Sequence, residues 1–136
     1  MAVSVRLSVA VGLGAALGSV ARHLCATGLL MLAGPGFPWG TLAVNVVGSA
    51  LIGCLAALAT RDGRPAMSAE VRFFALAGFC GGFTTFSIFS LETLLLFNAG
   101  QHGTAGVYVG ASLVLWLLAV WAGARLGEHL NRRAQR

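Results

Sequence analysis

The residues with the clearest capacity for chemistry lie together in the apolar segment Gly78–Glu92. Phe86 and Phe89 are three residues apart, and Ser87 and Ser90 form a second pair with the same spacing, so on a helix each pair shares one face. A phenylalanine pair alone is ordinarily a packing contact. Beside hydroxyl donors it gains a second interpretation, because an aromatic ring is partly positive at its edge and can face an anion there.

The same segment contains signals that interrupt a helix. Gly81 and Gly82 are poor helix formers, and Thr84 and Thr85 can bond to nearby backbone groups instead of continuing the helix. An interruption leaves N–H and C=O groups unpaired. Lipid cannot satisfy them, so inside a membrane such a break survives only within protein, typically where half-helix ends coordinate ions. The sequence therefore predicts a broken helix with an ion-related role.

Three further polar residues lie within apolar runs: Arg22, Asn45 and Glu92. An arginine inside a membrane is costly and usually faces a cavity or a partner, although snorkelling or bonding to carbonyls explains Arg22 equally well. For Glu92 we expect a pairing partner or a wet vestibule. For Asn45, considered alone, a hydrogen bond between helices is the favoured interpretation.

Composition predicts the elements that position these residues. Of the 136 residues, 57% are hydrophobic and 10% are charged, whereas a soluble domain carries about 25% charged residues. A membrane span needs about 20 apolar residues, so residues 1–136 are expected to form one all-α domain of four transmembrane helices. The expected spans are Val3–Met31, Trp39–Ala59, Ala69–Phe97, which contains the break, and Thr104–Leu126.

The ends of the spans carry their own signals. Gly34–Pro38 is a turn cluster, and Pro38 suits the first turn of the second helix. Ser68 suits the N-cap of the third span, with Glu70 near its positive end. The polar tail Gly127–Arg136 is expected to fray.

Small residues recur four positions apart and predict close approach of helix backbones. These stripes serve either packing within one chain or a dimer face, and because four helices enclose little interior we expect an oligomer. The stripes are Gly14/Gly18, Ser49/Gly53, Gly106/Gly110 and Ala119/Gly123/Gly127.

The net charge of +5 comes from arginines at the ends of spans, so it indicates membrane orientation rather than a nucleic-acid partner. The side that holds both termini and the second connection carries eight arginines, and the other side carries none. The positive-inside rule then predicts cytoplasmic termini. The eight are Arg6, Arg61, Arg64, Arg72, Arg125, Arg132, Arg133 and Arg136.

Taken together, these residues resemble the Fluc (CrcB) family of fluoride ion channels over nearly the whole chain. The most specific motif is Gly78–Glu92. The remaining motif residues are Gly14, Ala15 and Arg22 in span 1, Pro38–Leu42, Asn45 and Gly48 in span 2, and Tyr108 and Ser112 in span 4.

The resemblance implies an antiparallel dimer in the cell inner membrane, with two narrow pores that export cytoplasmic fluoride passively and relieve its toxicity. It further implies that Phe86 and Phe89 line the pores, that Asn45 and Ser112 donate hydrogen bonds, and that Tyr108, Arg22 and Glu92 lie along the pathway. It also implies a structural sodium ion at the dimer centre, held by the backbone carbonyls of Gly81 and Thr84 from both subunits.

Two residues and the charge pattern depart from the family. Ile88 stands where the family often has Thr, and Trp116 stands where a smaller or polar residue is expected, so the set of donors differs. Two-way insertion of a homodimer requires little arginine bias, yet this chain is strongly biased. We favour a homodimer, with an oppositely oriented paralogue as the alternative partner.

The main rival is a small multidrug transporter, which has four spans and a similar size. That chemistry needs a membrane-embedded Glu in span 1, where this chain has Arg22 and no carboxylate. A non-conducting assembly subunit would not explain Asn45, Phe86, Phe89 and Ser112. An enzyme is not expected, because the sequence shows no nucleophile–base pair and no metal-ligand spacing.

Overall fold

The computed structural model describes residues 2–61 and 64–134. Within these ranges, four helical spans are long and apolar enough to cross a membrane, as predicted: Ser4–Ala33, Trp39–Ala59, Ala69–Asn98 and His102–Arg133. Arg136, used above in the orientation prediction, lies outside the described residues. The helices and strands are α1 Ala2–Ala33, α2 Trp39–Ala59, β1 Thr60–Arg61, β2 Arg64–Pro65, α3 Ala69–Arg72, a π-helix Phe73–Cys80, α4 Gly81–Phe83, α5 Phe86–Asn98 and α6 His102–Arg133.

The connections are short. Gly34 has a φ of 74°, a left-handed conformation that favours glycine, and it opens the turn between α1 and α2. Pro38 immediately precedes α2 and takes the N-cap position instead of the first turn. Strands β1 and β2 form a small antiparallel hairpin. Ser68 caps α3 as predicted, since its Oγ accepts the N–H of Val71 at 3.3 Å.

The third span is built from several pieces. After α3 it continues as a π-helix, a rare form that the sequence pattern did not indicate. The helix then ends at Phe83, and both Thr84 and Thr85 are extended. Helix α5 begins directly afterwards, because the Oγ1 of Thr85 accepts the N–H of Ile88 at 3.2 Å as an N-cap.

The glycine pair does not itself interrupt the helix, contrary to the expectation above. Gly81 and Gly82 lie within α4, and the extended residues follow them. Gly82 is needed instead for packing, because a β-carbon there would overlap the carbonyl of Ala15 on α1. Gly14 and Gly18 likewise allow α1 to approach the backbone of the third span.

The other helix pair, α2 and α6, packs by the same device. A β-carbon on Gly53 would overlap the Val120 carbonyl, and one on Gly123 would overlap the Ala50 carbonyl. These stripes therefore serve packing within one chain. The stripe Gly106/Gly110 differs, since open space lies beside both glycines in the single subunit.

Helix α6 is longer than expected. The prediction that residues from Gly127 onwards fray is wrong as far as Arg133, where α6 ends. Gly127 packs against the backbone of Cys54, and Asn131 donates through Nδ2 to the carbonyl of Ala57 at 2.8 Å. These contacts tie the polar end of α6 to α2, so the last two turns remain helical.

Little of the chain is buried within one subunit, and the outward faces are apolar. Leu117 and Leu24, for example, are 68% and 65% exposed. The helices satisfy their own backbone groups, so such faces suit lipid or a second membrane-embedded subunit.

Candidate functional site

Asn45 closes the interruption in the third span. It lies buried on α2, where its Oδ1 accepts the N–H of Thr85 at 2.8 Å and its Nδ2 donates to the Thr85 carbonyl at 2.8 Å. One side-chain amide thus satisfies both backbone groups of an extended residue, which lipid could not do. This contact is the interhelical hydrogen bond favoured for Asn45 considered alone. Nδ2 carries a second hydrogen, which remains for another acceptor.

Glu92 joins three spans. Its Oε1 accepts the hydroxyl of Thr41 on α2 at 2.9 Å, and its Oε2 accepts the hydroxyl of Tyr108 on α6 at 2.6 Å. Thr41 and Tyr108 are both buried. The carboxylate therefore has one donor on each oxygen, and hydrogen bonds to charged groups are among the strong ones.

A cleft of about 200 Å³ is lined by both Arg22 and Glu92, the two charged residues that the resemblance places along a pathway. Its lining includes Arg22 from α1, Thr41 from α2, and Thr85 and Glu92 from the third span. We call this space the first cleft. Among residues 2–61 and 64–134, no side chain pairs with or hydrogen-bonds to Arg22, so its positive charge is available to the cleft.

A second cleft, of about 210 Å³, is lined by the interruption itself. Thr85, the residue held by Asn45, is the lining residue that the two clefts share. The lining of the second cleft comprises Asn45, Ser49, Ile52, Thr84, Thr85, Phe86 and Trp116.

The two phenylalanines lie side by side in different surroundings. Their ring centroids are 5.5 Å apart, yet Phe86 is 70% exposed in the single subunit whereas Phe89 is 6% exposed. The Phe89 ring centroid is 5.1 Å from that of Tyr108 and 4.9 Å from that of Trp116. Phe89 thus contacts Tyr108, which binds Glu92 of the first cleft, and Phe86 and Trp116, which line the second.

Comparison with known proteins shows the family of this chain. Residues 9–124 match the family model described as "CrcB-like protein, Camphor Resistance (CrcB)". The chain belongs to the CrcB family. The resemblance recognised from the Gly78–Glu92 motif is therefore confirmed, and this CrcB-family chain is a multi-pass membrane protein.

Several relatives of this CrcB chain are named fluoride-specific ion channel FluC. The one from Agrobacterium fabrum is 52% identical over 120 residues, which cover 88% of this chain and 94% of the relative. The one from Opitutus terrae is 50% identical over 121 residues, covering 89% and 92%. A relative from Bradyrhizobium diazoefficiens, named FluC 1, is 46% identical over 122 residues, covering 90% and 84%.

On α6 of this CrcB-family protein, two buried polar atoms have no hydrogen-bond partner among the described residues. They are the Oγ of Ser112, a fully buried residue, and the Nε1 of Trp116. Ser112 was expected to be a donor from the resemblance. Trp116 was recognised only as a departure from the family pattern.

Gly81 and Thr84, the expected sodium ligands, lie on either side of the end of α4. The N–H of Thr85 turns to Asn45, so the Gly81 carbonyl four residues earlier does not receive it as it would in a continuous helix. The Thr84 hydroxyl donates to the Cys80 carbonyl at 2.9 Å. Gly81 is exposed, with open space beside its α-carbon.

Sequence reasoning did not place two residues of this CrcB-family site on the pathway. Thr41 and Thr85 occur in the motifs, but neither was named as a pathway residue. A signal for Thr41 existed, because it lies one turn before Asn45 and therefore on the same face of α2. No comparable spacing connects Thr85 with α2.

Proposed function

We propose that this chain is a subunit of a fluoride-specific ion channel that lets fluoride leave the cytoplasm passively across the cell inner membrane. The relatives named fluoride-specific ion channel are similar over most of both chains, which supports the proposal. The structural observation that carries it is the interruption at Thr84 and Thr85, clamped by Asn45 between two clefts.

The side chains of the two clefts suit a small, strongly hydrated anion. A pore must replace the water of such an ion with hydrogen-bond donors or partial positive charge. Arg22 supplies positive charge in the first cleft, and Asn45 supplies a neutral donor in the second. The buried, unpaired Ser112 hydroxyl on α6 is a further neutral donor outside the two linings. These donors act strongly where water is excluded. The negative charge of Glu92 would repel an anion nearby. Thr41 and Tyr108 each donate a hydrogen bond to one of its oxygens, and these bonds reduce that repulsion.

The phenylalanines connect the two clefts. Fluoride would pass Phe86 and Phe89 along the ring edges, which are partly positive, whereas the ring faces repel anions. Phe89 contacts both Tyr108, which binds Glu92 of the first cleft, and Trp116 of the second, so the proposed path between the clefts runs along its ring. A narrow passage of this kind favours fluoride over the larger chloride by size and field strength.

The functional unit in this proposal is an antiparallel dimer with two pores. The ring of Phe86 lines the second cleft and is 70% exposed in one chain, so a large apolar area there is available for burial. A second subunit placed on this surface would cover the ring and close the second cleft into a pore. We favour a second copy of this chain, and a paralogue is the alternative.

A structural sodium ion would lie on the axis of that dimer. The observation that fits it is the Gly81 carbonyl at an exposed helix end, without the N–H of Thr85. Hard cations take oxygen ligands such as backbone carbonyls. The carbonyls of Gly81 and Thr84 from two subunits would supply four oxygens, and bound sodium would supply the positive charge that satisfies them.

Fluoride efflux from proteoliposomes tests the proposed function directly. We expect purified protein to release fluoride at a channel-like rate, measured with a fluoride electrode, and to release no chloride in a parallel chloride assay. A rate typical of carriers, or equal chloride release, would overturn the channel proposal. Uptake of a cationic dye driven by a proton gradient would instead favour a small multidrug-type transporter.

A further inference from the structure

Two unpaired donors lie one turn apart on α6. Ser112 and Trp116 are four residues apart and share a helix face, and both the Ser112 Oγ and the Trp116 Nε1 are shut off from solvent without a hydrogen-bond partner among residues 2–61 and 64–134. Buried polar groups in native proteins are nearly always paired. Two exceptions on one helix face, one of them against the Phe89 ring, call for a shared explanation.

The Ser112 hydroxyl does not make the bond within its own helix that several other span hydroxyls make. A serine or threonine in a membrane helix can donate to the carbonyl four residues earlier in its own helix. Ser112 has the Tyr108 carbonyl at that position but makes no such bond. Within the described residues four hydroxyls do make it: Ser8 to Ser4, Thr84 to Cys80, Ser90 to Phe86 and Thr93 to Phe89.

The position of Trp116 places its indole beside the proposed pathway. The residue lines the second cleft together with Asn45 and Phe86, and its ring meets that of Phe89 nearly at right angles, with centroids 4.9 Å apart. An indole N–H donates and cannot accept. Its missing partner must therefore be an acceptor, which an anion is and a cation is not.

We propose that the indole N–H of Trp116 is a hydrogen-bond donor to the permeating anion, acting beside the Ser112 hydroxyl at the Phe89 ring. This inference rests on the proposed function and adds to it a residue that determines specificity. The nitrogen is closed to solvent, so an ion reaches it only after losing most of its water and after a small movement of the neighbouring rings. That position gives the chain a replacement for the smaller polar side chain expected from the family resemblance.

Fluoride flux in matched tryptophan variants tests the role. Trp116→Phe removes the N–H and keeps most of the aromatic bulk, and we expect it to slow fluoride efflux about tenfold or more, since a bond to a charged group is lost. Trp121→Phe is the control, because Trp121 lies on the same helix with 60% of its surface exposed. Its flux should equal that of the unmodified protein.

A second measurement leaves residue 116 unchanged, so it does not depend on how well a variant at that position folds. In the double variant Trp39→Phe/Trp121→Phe, Trp116 is the only tryptophan of the chain. Its fluorescence in detergent should change saturably with sodium fluoride, and sodium chloride at the same concentration should have no effect.

The outcomes separate the two proposals. Unmodified protein without fluoride flux would remove the proposed function and this inference with it. Normal flux in the unmodified protein, with equal flux in Trp116→Phe and no fluorescence response to fluoride, would overturn the inference alone. Loss of the dimer in Trp116→Phe without a fluorescence response would also overturn it, and would assign the N–H to a carbonyl of the second subunit.

Discussion

Asn45 accepts the N–H of Thr85 and donates to its carbonyl, each at 2.8 Å, so a side chain of the second span satisfies the backbone of the third. The break and the residue that stabilises it therefore form one unit. Thr85 lines both clefts, and Asn45 lines the second. Stability of the fold and the course of the proposed pathway consequently depend on one amide.

Replacement of Asn45 should lower stability as well as flux. Asn45→Ala leaves the N–H and carbonyl of Thr85 unpaired, at a cost of about 1–3 kcal/mol for each buried group that stays unsatisfied. We expect a clear fall in the thermal unfolding midpoint in detergent. Ser49→Ala is the control, because it removes a hydroxyl from the same helix and the same cleft. Equal midpoints for the two variants would contradict the role of Asn45.

Replacement of Phe86 and replacement of Phe89 should have the same effect on fluoride flux but different effects on stability. We expect Phe86→Ile and Phe89→Ile each to abolish or severely slow fluoride efflux while the dimer remains assembled. Only Phe89→Ile should lower the unfolding midpoint of the subunit strongly, because Phe89 is buried against Tyr108 and Trp116.

Phe97→Ile provides the control for this pair, since Phe97 lies on α5 with 47% of its surface exposed. Fluoride efflux through the Phe97→Ile variant, measured with the same electrode, should match efflux through the unmodified protein. Fluoride efflux at the unmodified rate in both Phe86→Ile and Phe89→Ile would remove the two rings from the pathway.

The energetic effects of removing the Thr41 and Tyr108 hydroxyls should depend on each other, because both hydroxyls donate to the Glu92 carboxylate. Tyr108→Phe and Thr41→Val each remove one donor, and a hydrogen bond to a charged group contributes about 1.5–3 kcal/mol. We expect each variant to lower the unfolding midpoint and the fluoride flux, and the double variant to be non-additive. When Glu92→Gln is added to the two single variants and to the double variant, their effects should become additive.

Thr93→Val is the matched control, because the Thr93 hydroxyl donates only to the Phe89 carbonyl of its own helix. A strictly additive double variant of Tyr108 and Thr41 would show that the two bonds do not act on Glu92 together. The measurements needed are a thermal unfolding series in detergent and efflux from proteoliposomes.

Sequence patterns predicted the spans well where local signals end a helix. Helix α2 begins at Trp39 and ends at Ala59 as expected, because a turn cluster precedes it and a polar loop follows. The end of α6 was missed, since its last two turns are held by α2 through Gly127 and Asn131. Contacts of that kind depend on which helices are neighbours, and residue spacing within one helix does not report them.

The interruption shows the same limit at the site. The sequence indicated a break between Gly78 and Ser87 from two glycines and two threonines; the threonines Thr84 and Thr85 are extended, whereas Gly81 and Gly82 remain helical. Thr85 is extended because Asn45, forty positions earlier in the chain, supplies its hydrogen bonds. The pairing of Glu92 with Thr41 and Tyr108 likewise joins three spans, so local spacing identified the polar residues and could not identify their partners.

Substitution by alanine should lower stability at a glycine packed against another helix and raise it at a glycine that faces open space. Gly82→Ala places a β-carbon against the α1 backbone, and overpacking of this kind costs about 1–3 kcal/mol. Gly12→Ala meets open space on the same helix pair and gains up to about 1 kcal/mol of helix propensity. We expect opposite shifts of the unfolding midpoint, and shifts of the same sign would contradict the packing of α1 on the third span.

The arginine bias makes subunit orientation testable. Eight arginines on one side of the chain predict a single orientation by the positive-inside rule, whereas an antiparallel homodimer needs both orientations in the same membrane. We expect paired reporter fusions at the C-terminus, one active only in the cytoplasm and one only outside it, both to give signal in cells that lack any paralogue. Signal from the cytoplasmic reporter alone would exclude the homodimer.

Restoration of fluoride flux on co-expression of an oppositely oriented paralogue would then identify the heterodimer. Arg22 does not enter this count of arginines, because it lies inside the first span and not in a loop or terminus on either side of the membrane.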